Sequence, residues 1–238
     1  MGTLSLSEPV KPVSANSFDL GAGSVRELNQ ALHQAPAGSS WTVTGPAGAH
    51  AIAVGLTQPI EVRIEGHVGY YAAGMNEEAT VEILGNAGVG VAENMMSGRV
   101  HVKGSASQSA GATAHGGLLV VDGNAAARCG ISMKGVDIVV GGDVGHMSAF
   151  MAQAGRLVIC GKAGDGLGDS IYEARLYVKG SVGQLGADCV EKPLRPEHLA
   201  ELTALLAAAG RTDNPAEFRR YGSARQLYNF HVDNAFAY

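Results

Sequence analysis

A glycine recurs every 19 residues through the middle of this chain, and few architectures accommodate such a constraint. Gly66, Gly85, Gly104, Gly123, Gly142, Gly161 and Gly180 form one column. A small residue follows each three positions later: Gly69, Gly88, Ser107, Ala126, Gly145, Gly164 and Gly183. Two positions before each glycine stands a β-branched residue (Ile64, Ile83, Val102, Val121, Val140, Ile159, Val178), and four before it the column is again apolar, from Val62 to Leu176. Alternation of period two over a short β-branched run is the mark of a strand with one buried face. The next residue (His67, Asn86, Ser105, Asn124, Asp143, Lys162, Ser181) is mostly of a type that accepts turn dihedrals, so a bend is expected at every glycine.

Nineteen residues hold a strand, a turn and two more short segments, with no room for a crossover helix. The simplest closed path is one coil of a parallel β-helix, each coil stacking about 4.8 Å above the last. The chain is therefore expected to be all-β, a right-handed parallel β-helix of about seven to eight 19-residue coils, the hand following from strand twist. The interior has to be narrow. The second column after the glycine (Val68, Ala87, Ala106, Ala125, Val144, Ala163, Val182) and the seventh (Ala73, Ala92, Gly111, Gly130, Ala149, Gly168, Ala187) are accordingly small.

Three regions follow. Residues 1–59 hold a polar arm to about residue 19, a helix of about 25–34 announced by the capping box Ser24-Val-Arg-Glu27, and a degraded first coil at Trp41–Gly48. The helix serves as a lid, because the open end of a solenoid exposes core and strand edges. Residues 60–192 are the glycine-repeat β-helix. Residues 193–238 begin with a helix over Pro196–Gly210, in which Leu199, Leu202 and Leu206 share a face. Asn214-Pro-Ala-Glu217 suggests a second helix start. The outward column three before each glycine begins polar (Arg63, Glu82, His101) and turns apolar at Val120, Val139, Val158 and Tyr177. That face is expected to be covered, by the C-terminal helix or by another subunit. The tail Tyr221–Tyr238, with Tyr221, Arg225, Tyr228 and Phe230, reads as a docking arm for a partner.

Charge and composition exclude several classes. A net charge of −5 without a Lys/Arg block argues against nucleic acid and anionic membrane as partners. The first twenty residues lack the pattern of a signal peptide, and no window of about 18 apolar residues exists to span a bilayer. Cys129, Cys160 and Cys189 are odd in number and lack CxxC spacing, which suggests a reduced, cytoplasmic chain.

Catalytic groups on a β-helix would stand in one column of adjacent coils. Asp169 and Asp188 do, and could form an acid/base or cation pair, although solvated or partner-facing carboxylates are the plainer reading. His115 and Lys134 stack likewise. His67 follows a turn glycine, where bonding to backbone is the default. The cysteines occupy three different columns, which argues against a shared metal or iron–sulfur cluster. Gly155–Ala163 imitates a phosphate loop, but its spacer is one residue too long and Ala163 stands where Ser or Thr belongs. Met95, Met96, Met133, Met147 and Met151 suit packing better than a cofactor box. No catalytic, cofactor-binding or metal-ligating set emerges, and the glycine column is structural.

The repeat resembles the GXGXG domain, the β-helix at the C-terminal end of the large subunit of glutamate synthase, found also in formylmethanofuran dehydrogenase. Gly66–Asn76, Glu93–Gly98, Arg128–Gly135, Gly145–Gln153, Leu167–Ala174 and Arg220–Phe230 are similar to the stand-alone subunits of the glutamate-synthase type, those of N-methylglutamate synthase above all. The resemblance implies a scaffold subunit without catalytic residues in a hetero-oligomer. Its partners would be a class II glutamine amidotransferase-like subunit and a synthase subunit that carries FMN and an iron–sulfur cluster. The reaction implied is exchange of the amino group of glutamate for methylamine, giving N-methylglutamate and ammonia. Alternatives are the same scaffold role in a formyltransferase/hydrolase, formylmethanofuran dehydrogenase-type or ordinary glutamate synthase complex, and a stand-alone β-helix enzyme using Asp169 and Asp188.

Overall fold

The structure, a computed structural model, describes residues 16–225. It is a parallel β-solenoid of 19-residue coils. One strand per coil enters a single 11-stranded sheet. Strands β1 (Asn16–Asp19), β2 (Ser40–Thr44), β3 (Glu61–Ile64), β4 (Thr80–Ile83), β5 (Arg99–Val102), β6 (Leu118–Val121), β7 (Lys134–Val140), β8 (Ala154–Ile159) and β9 (Arg175–Val178) follow one another in parallel. The pairing Val62↔Val81, Val81↔Val100, Val100↔Leu119, Leu119↔Ile138 keeps the 19-residue register, so each inward side chain lies over its equivalent one coil below. A second ladder runs through the column Val68, Ala87, Ala106, Ala125, Val144, Ala163 and Val182. The interior columns are sealed: Val62, Val81, Val100, Leu119, Ile138, Leu157 and Leu176 are all at most 1% exposed.

The repeated glycine answers to space rather than to dihedral angle. Only Gly66 in that column has a left-handed backbone (φ +139). A Cβ on Gly85 would lie 2.6 Å from the carbonyl carbon and oxygen of Gly66, and one on Gly180 2.4 Å from the Gly161 oxygen. The coils touch backbone to backbone there, and no side chain fits between them. Left-handed residues recur instead in the fifth, seventh and ninth columns after the glycine; in the seventh, Ala73, Ala92 and Ala149 have φ of 53, 55 and 56, beside glycines at Gly111, Gly130 and Gly168. These alanines point into the tube at 0% exposure, which is why the column is small.

Helix α1 (Val25–His33) caps the first coils. The Ser24 hydroxyl accepts from the Glu27 amide, and the Glu27 carboxylate accepts from the Ser24 amide at 2.8 Å, completing the capping box. Leu28 and Leu32 seal the end of the core. The last residues of the expected arm, Asn16–Asp19, form a strand beside β2, with Phe18 packed against the core. The solenoid thus begins one strand earlier than the glycine pattern shows.

At the other end β10 (Cys189–Lys192) is the sheet edge. Helix α2 (Pro196–Ala208) then runs back over the outward valines. Val120, Val139, Val158 and Tyr177, all at most 1% exposed, pack under Leu202, Leu205, Leu206, Ala209 and Phe218. Of the two covers left open by the sequence, the chain's own helix is the one in place. Each valine shielded this way contributes roughly 1.5–3 kcal/mol. A single 3-10 turn, Pro215–Glu217 with Asn214 as its cap, stands where a second helix was expected. Strand β11 (Arg219–Ser223) then inserts antiparallel between β9 and β10. Tyr221, expected in a docking arm, is 2% exposed and part of the core cluster. The reason is alternation: Tyr221 and Ser223 point inward to close the last coil, while Arg220 faces out. Tyr228 and Phe230 lie outside the described residues.

Candidate functional site

The carboxylates and cations singled out in the sequence do not converge. Asp169 and Asp188 are separated by a register slip in the last coil, where Leu167 bridges Leu185 instead of the residue 19 further on. Both Ser170 and Asp188 have left-handed backbones (φ 56 and 64), and the Ser170 amide donates to the Ala187 carbonyl. Asp188 has therefore slipped out of the Asp169 column. The Asp169 carboxylate accepts from the Ser170 hydroxyl at 2.9 Å and the Ala187 amide at 3.1 Å. Asp188 instead pairs with Arg225. No hydrogen bond joins the two carboxylates, and the shared column read from the sequence is corrected by this slip. His115 and Lys134 are both exposed, and no hydrogen bond joins their side chains.

His67 belongs to a structural ladder that the sequence reading missed. Its Nδ1 accepts the Asn86 amide at 2.9 Å; Asn86 Oδ1 accepts the Ser105 amide at 2.8 Å. Ser105 Oγ accepts the Asn124 amide at 3.1 Å, and Asn124 Oδ1 the Asp143 amide at 2.8 Å. Asp143 Oδ1 closes the series on the Lys162 amide at 2.7 Å. Each side chain satisfies the corner N–H of the next coil, and the ladder stops at Lys162, which has no acceptor to offer. The signal in the sequence is the run of short acceptors after the glycine, residues that turns also favour. The false phosphate loop is part of this corner and of β8.

The cysteines are free and lie apart. Burial pushes the Cys129 thiol up to about 12, and Cys160 and Cys189 up to about 11, so none is a ready thiolate. Among the described residues no group of three or more His, Cys, Asp or Glu could hold a metal ion. The methionines divide: Met95 and Met133 are in the core, Met96 and Met151 on the surface.

Charge on the open half of the sheet face is organised into pairs from coil to coil. Arg63 meets Glu82 at 2.7 Å, Lys103 reaches Glu82 and Asp122, and His101 meets Asp122 at 2.8 Å. These line or adjoin a groove of about 420 Å³ that also holds Ser40, Thr42 and Arg99. Under α2 the pairing tightens. Glu201, 15% exposed at its side chain, accepts from the Tyr177 hydroxyl at 2.5 Å and from Arg156 and Arg175, each at 3.2 Å. Burial, then the bond to Glu201, raises the Tyr177 phenol well above its ordinary value. Arg156 also grips Asp137 with both of its forks. These contacts fix the helix to the sheet and bring no reactive group to a cavity. Of the eight residues expected at an interface, Val120, Val139, Val158, Tyr177 and Tyr221 are buried within the chain. Arg225 is exposed, and Tyr228 and Phe230 lie outside the described residues.

No helix among the described residues is long and apolar enough to cross a membrane. Over 225 residues the chain is 60% identical to Protein GlxC of Rhizobium meliloti (strain 1021), an alignment that covers 93% of this chain and 99% of that protein. No protein-family model matches the chain.

Proposed function

The chain belongs to the same family as GlxC, and we propose that it is the β-helix scaffold subunit of a glutamate synthase-like complex in the cytoplasm. N-methylglutamate synthase is the preferred identity of that complex, which would convert methylamine and glutamate to N-methylglutamate and ammonia. The observation that carries the scaffold role is the use made of the ionisable and polar columns. Asp143 and Asp169 accept backbone amides of the next coil, Glu82 and Asp122 pair across coils, and Glu201 anchors α2. Groups engaged in holding a rod together are poorly placed to gain and lose protons in a reaction. The reaction assigned to the complex rests on the segments that resemble stand-alone glutamate-synthase-type subunits. FMN and an iron–sulfur cluster belong to a partner, and a glutamine amidotransferase-like subunit is the second partner. The exposed apolar side chains Tyr70, Met75, Val89 and Met96 are of the composition that partner surfaces favour.

The test is purification of the tagged chain from its native host. Two further subunits, flavin absorbance, iron, and methylamine-dependent formation of N-methylglutamate should accompany it, while the chain alone should be colourless. A chain that purifies alone, or in a complex without flavin, would contradict the proposal.

A further inference from the structure

Beside the last coil, four cationic side chains border one pocket of about 230 Å³: Arg175, Lys192, Arg220 and Arg225, with Glu173 the only carboxylate among the described residues of its lining. Arg175 is held by Glu201 at 3.2 Å and Arg225 by Asp188. The other two have no such partner among the described residues. The Lys192 side chain makes no hydrogen bond or ion pair with any described residue, and Arg220 donates through Nε to the Pro193 carbonyl at 3.0 Å without meeting a carboxylate. They are also directly opposite one another, as register partners of the antiparallel β10–β11 pair. Like charges in that position destabilise a sheet. Burial, and beyond it the charges of Arg175 and Arg195, depress the proton affinity of Arg220. Elsewhere on the sheet face Arg63 pairs with Glu82 and Arg156 with Asp137, while Arg99 donates to the Ala208 carbonyl and stands opposite no cation. Here the chain places two unmatched cations side by side at the rim of a concavity.

We propose that this pocket binds a small dianionic oxyanion, a phosphate or a dicarboxylate. The chemistry is that of the donors. A guanidinium presents a planar fork to two oxygens of a carboxylate or phosphate, and an ammonium adds a mobile point charge. At about 30 Å³ per water, the volume accommodates a phosphate or a four-carbon diacid. A bound dianion would stand between Lys192 and Arg220 and offset their repulsion. The site is independent of the scaffold role, since it requires neither partner.

The test titrates the full-length chain by calorimetry at fixed ionic strength with inorganic phosphate, succinate and acetate. Saturable binding of one dianion per chain is expected, with a dissociation constant on the order of millimolar or tighter. The tighter of phosphate and succinate identifies the ligand class. Arg220→Gln and Lys192→Gln should each weaken it at least tenfold, Lys192→Arg should retain it, and Arg63→Gln, on the distant groove, should leave it within twofold. A second readout covers variants that fold poorly: the wild-type melting temperature should rise in the better dianion relative to chloride, and that of Arg220→Gln should not. Failure of both dianions to saturate, equal binding of acetate, or unchanged binding by Arg220→Gln and Lys192→Gln would overturn the assignment.

Discussion

Replacing Glu201 with alanine should weaken the hold of α2 on the sheet while leaving the helix docked and the solenoid wound. The carboxylate accepts from Tyr177 at 2.5 Å and from Arg156 and Arg175 at 3.2 Å. Its loss leaves the Tyr177 hydroxyl unpaired under the helix, in a residue 0% exposed, at about 1–3 kcal/mol. The two arginines lose less. Their side chains are 30% and 44% exposed, so solvent screens them, and Arg156 keeps Asp137. Together the loss should be about 3 kcal/mol, read as a lower urea midpoint with an unchanged slope. Tyr177→Phe removes the hydroxyl with its need for a partner, and should cost only about 1 kcal/mol. Because both changes act on one bond, the double variant should be less destabilised than the sum of the two. Hydrogen exchange should accelerate in Pro196–Ala208 before β6 or β7. Stability of Glu201→Ala within about 0.5 kcal/mol of wild type would refute the clasp.

Gly85→Ala should cost about 3 kcal/mol in urea unfolding, because its Cβ would meet the backbone of Gly66 at 2.6 Å. Gly222→Ala, whose nearest neighbours are 3.8 and 3.9 Å away, should cost under about 0.5 kcal/mol; equal costs would undo the close-approach account. Alkali should also destabilise the fold. Burial raises the folded-state values of Cys129, Tyr177 and Tyr221, so stability is full below the unfolded-state values and falls as pH climbs past about 8.5 for the thiols and about 10 for the phenols. Tyr177→Phe should flatten part of the decline above pH 10, and stability that stays level from pH 8 to 11 would contradict this.

The solenoid is legible because its repeat is covalent: every 19-residue column in the sequence is a physical column in the tube. The cover over Val120, Val139 and Val158 is legible for the same reason, since outward valines on successive coils require one. What escapes is whatever departs from the repeat. The slip at Leu185 removes one residue after Gly183, where the glycine column has already ended, so Asp188 reads as the neighbour of Asp169 and is not. Strand β11 pairs antiparallel across the end of a parallel stack, an arrangement no column encodes, and its Tyr221 reads as an exposed anchor. The acceptor ladder was visible as His67, Asn86, Ser105, Asn124 and Asp143. Turn propensity and cross-coil bonding select the same short polar residues, and only the structure separates them.

The scaffold reading is tested most directly by turnover of the assembled complex carrying single neutralised groups. Asp169→Asn and Asp188→Asn remove the carboxylates that a stand-alone β-helix enzyme would use, and His115→Gln and Lys134→Met remove the other two groups read as stacked in the sequence. Loss of a catalytic acid or base typically lowers turnover by a factor of about 100 or more. With assembly verified by sizing chromatography and activity compared at matched complex concentration, each variant should stay within about tenfold of wild type. A variant that assembles normally and loses about a thousandfold would place the active site on this chain.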